Sequence, residues 1–312
     1  MKSLTKESSV ERNKVVVIVD GMNLFHRMYH IFNKFPYGTP FGFLSGLVSY
    51  AEILKSDRFI VCWDGKKNWR KDADEEYKKK RENRFTPDEQ ENFQRNYDNT
   101  IKLLVHLGII QIIKDDCEAD DIIALLTLAY NRDVTIVSND KDFMQLVNDK
   151  KNVTVLRPGE KSKHTLYHEK EVLATFNVPA NKIAAFLAIA GDASDGVKGV
   201  YKFGAVKAKK LINDGMIKTD KLKEVFNDEQ LKQFIDSYKL VKLGKGKYHH
   251  IKLTTGDINF GCNYRNNREL FFTTVQALLT EFGIKKYKAI MLKNFYNPQH
   301  KIDFLYKFLE KK

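Results

Sequence analysis

The sequence predicts an α/β protein: a doubly wound, mostly parallel sheet followed by a helical part. Three observations carry that reading. Short β-branched runs alternate with helical segments through the first half of the chain, as in a sheet covered by helices on both faces. The runs are continuously apolar rather than alternating, as strands buried on both sides are. From about Val172 the strand signals mostly stop and helical periodicity takes over.

Residues 1–13 are polar, charged and aperiodic, and read as a disordered tail. Lys14 to Val19 (KVVVIV) is the first buried strand, ending at Asp20-Gly21. A helix is expected from Asn23 and a second over Phe41 to Leu54, after the turn-rich PYGTPFG. Phe59 to Trp63 (FIVCW) is the second strand, and it too ends in an acid and a glycine, Asp64-Gly65. Lys66 to Arg84 is dense in lysine and arginine and poor in aliphatic residues. Helical spacing returns from Asp88 to Leu107, with Pro87 at its start, and Ile109 to Ile113 is a third strand.

Next comes DCEADDIIALLTLAYNRDVTIVSNDKD, residues 116–142. An acidic cluster (Glu118, Asp120, Asp121) opens an apolar helical run to Tyr130; the strand Val134 to Val137 then delivers a second pair, Asp140 and Asp142. Asn152 to Leu156 reads as another strand and Arg157 to His164 as a turn. The chain thus divides into an α/β core over 14–170 and a helical region over 171–312. Within the helical region, 183–212 is glycine-rich between two apolar helical runs, and amphipathic helices lie beyond Lys218. Ile251 to Thr254 is a candidate strand, and Lys301 to Lys312 places Ile302, Leu305, Tyr306 and Leu309 on one helical face.

Composition narrows the function classes. No apolar run approaches the roughly 20 residues of a membrane span, and the N-terminus has no apolar signal region. Cys62, Cys117 and Cys262 lie far apart with no CxxC pair, which argues against a zinc ribbon or disulfide scaffold and suits a reducing cytoplasm. The net charge is +13, yet acids gather at predicted strand ends. A basic surface around an acidic pocket suits a metal-dependent enzyme acting on a polyanion.

Parallel strands send their carboxyl ends to one crevice, so Asp20, Asp64, Glu118, Asp120, Asp121, Asp140 and Asp142 can share a site although scattered in sequence. Asp192 and Asp195 come later. Close carboxylates raise one another's pKa unless a cation lies between them, and hard divalent ions prefer such all-oxygen sets. Each acid taken alone reads equally well as a cap or turn residue; the set does not.

The ordered motifs VDGMNLFHR (19–27), WDG (63–65), EYKKKR (76–81), EADD (118–121), SNDKD (138–142) and GDASD (191–195) resemble the 5′ nucleases. That family includes flap endonucleases, the 5′-3′ exonuclease domain of bacterial DNA polymerase I and stand-alone phage enzymes. The resemblance runs from about Lys14 to Ile212 and implies a PIN-like fold with a helical arch over about 66–100. It implies a first metal held by Asp20, Asp64, Glu118, Asp120 and Asp121, directly or through outer-shell contacts, and a second by Asp140, Asp142, Asp192 and Asp195. Mg²⁺ is the expected ion, two per site, with Mn²⁺ able to substitute. Lys78 and Arg81 would contact the scissile phosphate, Tyr77 would stack on a base, and Arg27 would meet a phosphate. Ile183 to Ile212 resembles a helix-hairpin-helix gripping duplex phosphates through Lys198, Lys202, Lys207, Lys209 and Lys210, with a monovalent cation at the hairpin. The family's GVxGIG stands here as GVYKFG (199–204), so Lys202 replaces the middle glycine and a departure from the tight hairpin is expected.

No polymerase segment is expected after Lys312, so the chain resembles the stand-alone phage enzymes more than a polymerase fragment. The resemblance then implies a monomer in the host cytoplasm that removes RNA primers during replication. Its substrates would be flap, nicked or branched DNA and RNA-DNA hybrid, and a single-strand-binding protein is a candidate partner. Two alternatives stay open: a non-catalytic structure-specific DNA-binding protein of the same fold, and a PIN-like single-stranded ribonuclease. A haloacid-dehalogenase reading fails because position 22 is Met. No GxGxxG or P-loop stands after a strand, and His26 and His30 lack the acid of an HExxH zinc motif.

Overall fold

The computed structural model describes residues 15–79, 85–130, 133–159, 163–244 and 251–261, with single helical positions at 273, 277 and 280. The N-terminal tail, Arg81 and the terminal amphipathic segment lie outside the described residues.

Strand β1 (Val16–Asp20) is buried along its whole length. It pairs in parallel with β2 (Phe59–Trp63) on one side and β4 (Val134–Val137) on the other. Strands β3 (Ile110–Ile113) and β5 (Val153–Arg157) extend the parallel core outward. Two short antiparallel strands close the edges, β6 (Thr165–Tyr167) on β5 and β7 (Ile258–Asn259) on β3, giving the order β6-β5-β4-β1-β2-β3-β7. The sequence reading missed both edge strands. β6 begins just after the expected turn, and the candidate strand at 251–254 gives way to a two-residue pairing a few positions later. Edge strands this short carry too little periodicity to declare themselves.

Alternation along the strands builds two cores. Val17, Val19, Val61 and Trp63 face helices α1 (Gly21–Phe32), α2 (Gly38–Leu54) and α4 (Pro87–His106). Val16, Ile18, Ile60 and Cys62 face the other side, where α5 (Ala119–Ala129) packs together with the helical half of the chain. That half comprises α6 (Glu169–Phe176), α7 (Ile183–Ala190), α8 (Ala205–Asn213), α9 (Thr219–Val225) and α10 (Asp228–Val241). Ile183, Ile189 and Leu240 share one apolar cluster with Ile18 and Ile60, so the helical region is continuous with the core of the α/β part.

The stretch expected as an arch, 66–100, divides. The short helix α3 (Trp69–Ala73) turns inward and buries Trp69 and Arg70. Helix α4 starts at a full capping box, Thr86 with Glu89 and Pro87 at its first position. It is a core helix here: Phe93 and Tyr97 meet Phe25 edge-on at 5.1 and 5.6 Å.

Candidate active site

The sheet places its acids at one rim. Asp20 ends β1 and caps α1, accepting from the Asn23 amide at 3.0 Å and from Ser138 Oγ at 2.8 Å. Only glycine can come next, because a Cβ at Gly21 would lie 2.6 Å from the Cys62 carbonyl and from the Trp63 ring. Asp64, at the end of β2, accepts from the Ala119 amide at 2.8 Å and so ties that strand to the start of α5. Past β4, the Asp140 amide donates to Ser138 Oγ (3.0 Å), and its carboxylate accepts from the Asp142 amide (2.9 Å) at the head of a 3₁₀ turn, Lys141–Leu146. Asp192 lies just past the C-terminus of α7 and accepts from Lys141 Nζ (2.9 Å) and the Ser194 amide (3.0 Å).

Two neighbourhoods result, with Asp140 between them. Burial, together with repulsion from Asp64 and Asp140, pushes Asp20 up to about 7 against the bonds from Asn23 and Ser138. Asp120 is raised well above the carboxylate range by burial and by Asp140, with Lys78 opposing. On the other side, ligand oxygens of Asp142, Asp192 and Asp195 lie within 4.8 Å of one another, and all three residues are buried. Asp142 is raised by burial and then by Asp140, Asp195 and Asp192, and its buried Oδ1 has no hydrogen-bond partner among the described residues. Asp192 is lowered because Ser194 and Lys141 outweigh its burial. A buried, orphaned carboxylate oxygen beside two more carboxylates fits a hard divalent cation, whose ligands are oxygens.

Glu118 and Asp121 are held differently. Arg70, 1% exposed, grips Asp121 through both terminal nitrogens (2.8 and 2.7 Å) and Glu118 through one (3.0 Å). Trp69 Nε1 also donates to Asp121 at 3.0 Å. Both oxygens of Asp121 are therefore engaged by protein, and its role here is to orient Arg70 and Glu118. Glu118 further accepts from Asn68 (2.6 Å), Tyr77 (3.1 Å) and Lys78 (2.7 Å). Its burial is outweighed by Lys78 and Arg70, which lower its pKa. Burial works to lower Lys78, and Glu118, Tyr77, Asp120 and Asp195 together reverse it upward, so the ammonium stays charged.

Tyr77 lies in the core at 4% exposure with its hydroxyl on Glu118; its ring packs there, where stacking on a base was expected. The backbone around Lys78 takes the left-handed region (φ 54) and donates from its amide to the Asp195 carbonyl at 3.0 Å. Gly196, with φ +78, lets this contact form, since a Cβ there would meet the Glu76 carbonyl at 2.7 Å. A cavity of about 600 Å³ opens beside it, lined by Lys78, Lys79, Asp192, Ser194 and Lys198 among others. Arg27 donates to the Gly159 carbonyl at 2.8 Å.

The hairpin between α7 and α8 keeps its turn. Phe203 N donates to the Val200 carbonyl at 2.9 Å, and Lys202 itself adopts φ 65 where the departure was expected. Lys198, Lys202, Lys207 and Lys210 are exposed around it, and Lys209 is half-buried with its ammonium 5.8 Å from the Phe186 ring. Lys207 Nζ donates to the Lys202 carbonyl at 3.0 Å, so a monovalent cation at the hairpin would compete with the chain's own ammonium for that oxygen. Sequence reasoning missed Arg70, Lys141, Asn68 and Ser138 as supports. Tryptophan beside arginine inside an otherwise polar lysine-rich run was the available signal for Arg70.

Comparison with known proteins agrees with this geometry. The family described as "5'-3' exonuclease, N-terminal resolvase-like domain" matches residues 15–177. The chain belongs to the 5′-3′ exonuclease family. It is 31% identical over 215 residues to a 5′-3′ exonuclease of Bacillus subtilis, covering 65% of this chain and 71% of that one. The fold is that of the flap endonuclease of bacteriophage T5, solved with DNA and metal ions, at TM-score 0.60 and 20% identity over 96% of this chain and 100% of that one. It is also that of flap endonuclease-1 from Methanococcus jannaschii, at TM-score 0.54 and 17% identity over 96% and 93% of the two chains.

Proposed function

We propose that this member of the nuclease family is a Mg²⁺-dependent, structure-specific 5′ nuclease. It hydrolyses phosphodiester bonds of DNA flaps, of 5′ ends at nicks and of RNA primers on DNA, in replication primer removal in the cytoplasm. The observation that carries the reading is the convergence on Asp140 of two acidic neighbourhoods, one holding an orphaned buried carboxylate oxygen. Such a set is costly in a folded protein without cations.

Two bound Mg²⁺ ions would activate a water and stabilise the leaving oxygen of the phosphodiester. Asp142, Asp192 and Asp195 would hold one. Asp20, Asp64, Asp120 and Asp140 would hold the other, with Glu118 oriented behind them by Arg70. Lys78, at the rim of the cavity, supplies positive charge where the scissile phosphate gathers negative charge. Lys198, Lys202, Lys209 and Lys210 grip the duplex backbone without reading sequence, which suits recognition of a junction rather than a base pattern.

The test is cleavage of a 5′-labelled flap duplex, with Mg²⁺ and with EDTA, on a sizing gel. A cut near the single-strand/duplex junction that needs Mg²⁺ is expected. Mononucleotides alone would make the enzyme chiefly an exonuclease. Tight binding with no cleavage would refute catalysis and leave a structure-specific DNA-binding protein.

A further inference from the structure

Helix α10 touches both ends of the proposed machinery. Near its start, Gln233 Oε1 accepts from the Tyr201 amide at 2.8 Å, and Gln230 Nε2 donates to the Tyr201 carbonyl at 3.1 Å. Two side chains of one helix thus hold the hairpin backbone between Val200 and Lys202. At its far end, the Leu240 carbonyl accepts from Arg70 Nε at 2.9 Å. The Val241 carbonyl accepts from Gln145 Nε2 at 3.0 Å, and Gln145 Oε1 accepts from the Leu243 amide at 3.0 Å.

These last contacts matter because of what else the same residues do. Arg70 holds Glu118 and Asp121, and Gln145 lies in the 3₁₀ turn that carries Asp142. The last carbonyls of a helix have no intrahelical partner, and here two of them accept from residues of the acidic site. Sliding α10 would strand the buried Arg70 Nε–H or the buried Gln145 amide, which costs more than the bonds themselves contribute. The helix also packs along α7, whose end delivers Asp192. From Gln233 to Val241 is about 12 Å of helix.

We propose that α10 is a strut that sets the carboxylates at a fixed distance from the hairpin, with Gln145 and Gln233 as positioning residues at its two ends. The assignment of those ends to metal and duplex rests on the nuclease reading. The strut itself is tested without cleavage or DNA. Mn²⁺ affinity is measured by electron paramagnetic resonance titration of the full-length protein, for wild type, Gln145→Leu, Gln233→Leu and the double variant. Gln145→Leu is expected to weaken Mn²⁺ binding roughly tenfold, as loss of a supporting residue behind metal ligands does. Gln233→Leu is expected to weaken it about threefold at unchanged melting temperature, and the double variant to be no weaker than Gln145→Leu alone. Independent sites more than about 10 Å apart would add instead. Unchanged Mn²⁺ affinity in Gln233→Leu, additive losses, or no Mn²⁺ binding by wild type would each overturn the strut. If Gln145→Leu does not fold, the half-buried Gln233→Leu and Gln230→Leu decide by the same readout. A coupled wild type that cuts no flap DNA would instead refute the nuclease reading and leave the strut standing.

Discussion

Replacing Asp20 by Asn should make the protein more stable in EDTA and inactive in Mg²⁺. Asp20 is held at about 7 against an ordinary value of 3.8, first by burial and then by Asp64 and Asp140. A carboxyl whose folded pKa is raised binds its proton more tightly in the folded state, so stability falls as pH rises from about 4 to 7 and stays reduced above it. At pH 8 the displacement amounts to about 4 kcal/mol at 1.36 kcal/mol per pKa unit, and at pH 5 to roughly 1–2 kcal/mol. Asparagine keeps the acceptor for the Asn23 amide and removes the charge. Melting in EDTA, at about 2 °C per kcal/mol for a chain of this size, should rise by roughly 8 °C at pH 8 and roughly 3 °C at pH 5. With saturating Mg²⁺ the order should reverse, because wild type gains from the bound ion and the variant lacks a ligand. An Asn variant melting at or below wild type at pH 8 in EDTA would refute the repulsive cluster on which the metal site rests.

Asp140→Asn should abolish flap cleavage while leaving DNA affinity within a few fold, measured by gel assay and by fluorescence anisotropy in parallel. Arg70→Ala should cost about 3–5 kcal/mol in chemical denaturation, because it takes the buried guanidinium away from two buried carboxylates. Lys202→Gly should be neutral or stabilising by up to about 1 kcal/mol, since glycine removes the strain of a left-handed lysine, and should weaken duplex binding a few fold. If roughly 6 basic side chains touch phosphates, log K for duplex against log[salt] should slope near −5; a flat titration would contradict the basic surface as the grip.

The parallel strands and the acids at their ends were legible because both arise from local rules. A run such as VVIV can only be buried, and a sheet of parallel strands gathers the residues at its carboxyl ends along one rim. The inward turn of the residues around Arg70 was not legible in the same way. The run Lys66 to Arg84 looks uniformly solvated, yet tertiary contacts turn Trp69, Arg70, Tyr77 and Lys78 inward against Glu118 and Asp121, some 40 to 50 positions away. Lys202 shows the converse. The pattern there argued against a tight turn, but the Val200–Phe203 bond and the glutamines of α10 hold the lysine in a conformation it would not choose alone.

The bond from the Lys78 amide to the Asp195 carbonyl has a consequence in time as well as in space. Asp20 and Asp195 are 175 positions apart, and at about 5–20 residues per second a ribosome needs roughly 9 to 35 s to make the intervening chain. Until residue 195 has left the ribosome, Asp142 lacks Asp192 and Asp195 beside it and the Lys78 amide lacks its acceptor. A degradative activity that assembles only from such distant parts is withheld from the nascent chain by its own topology.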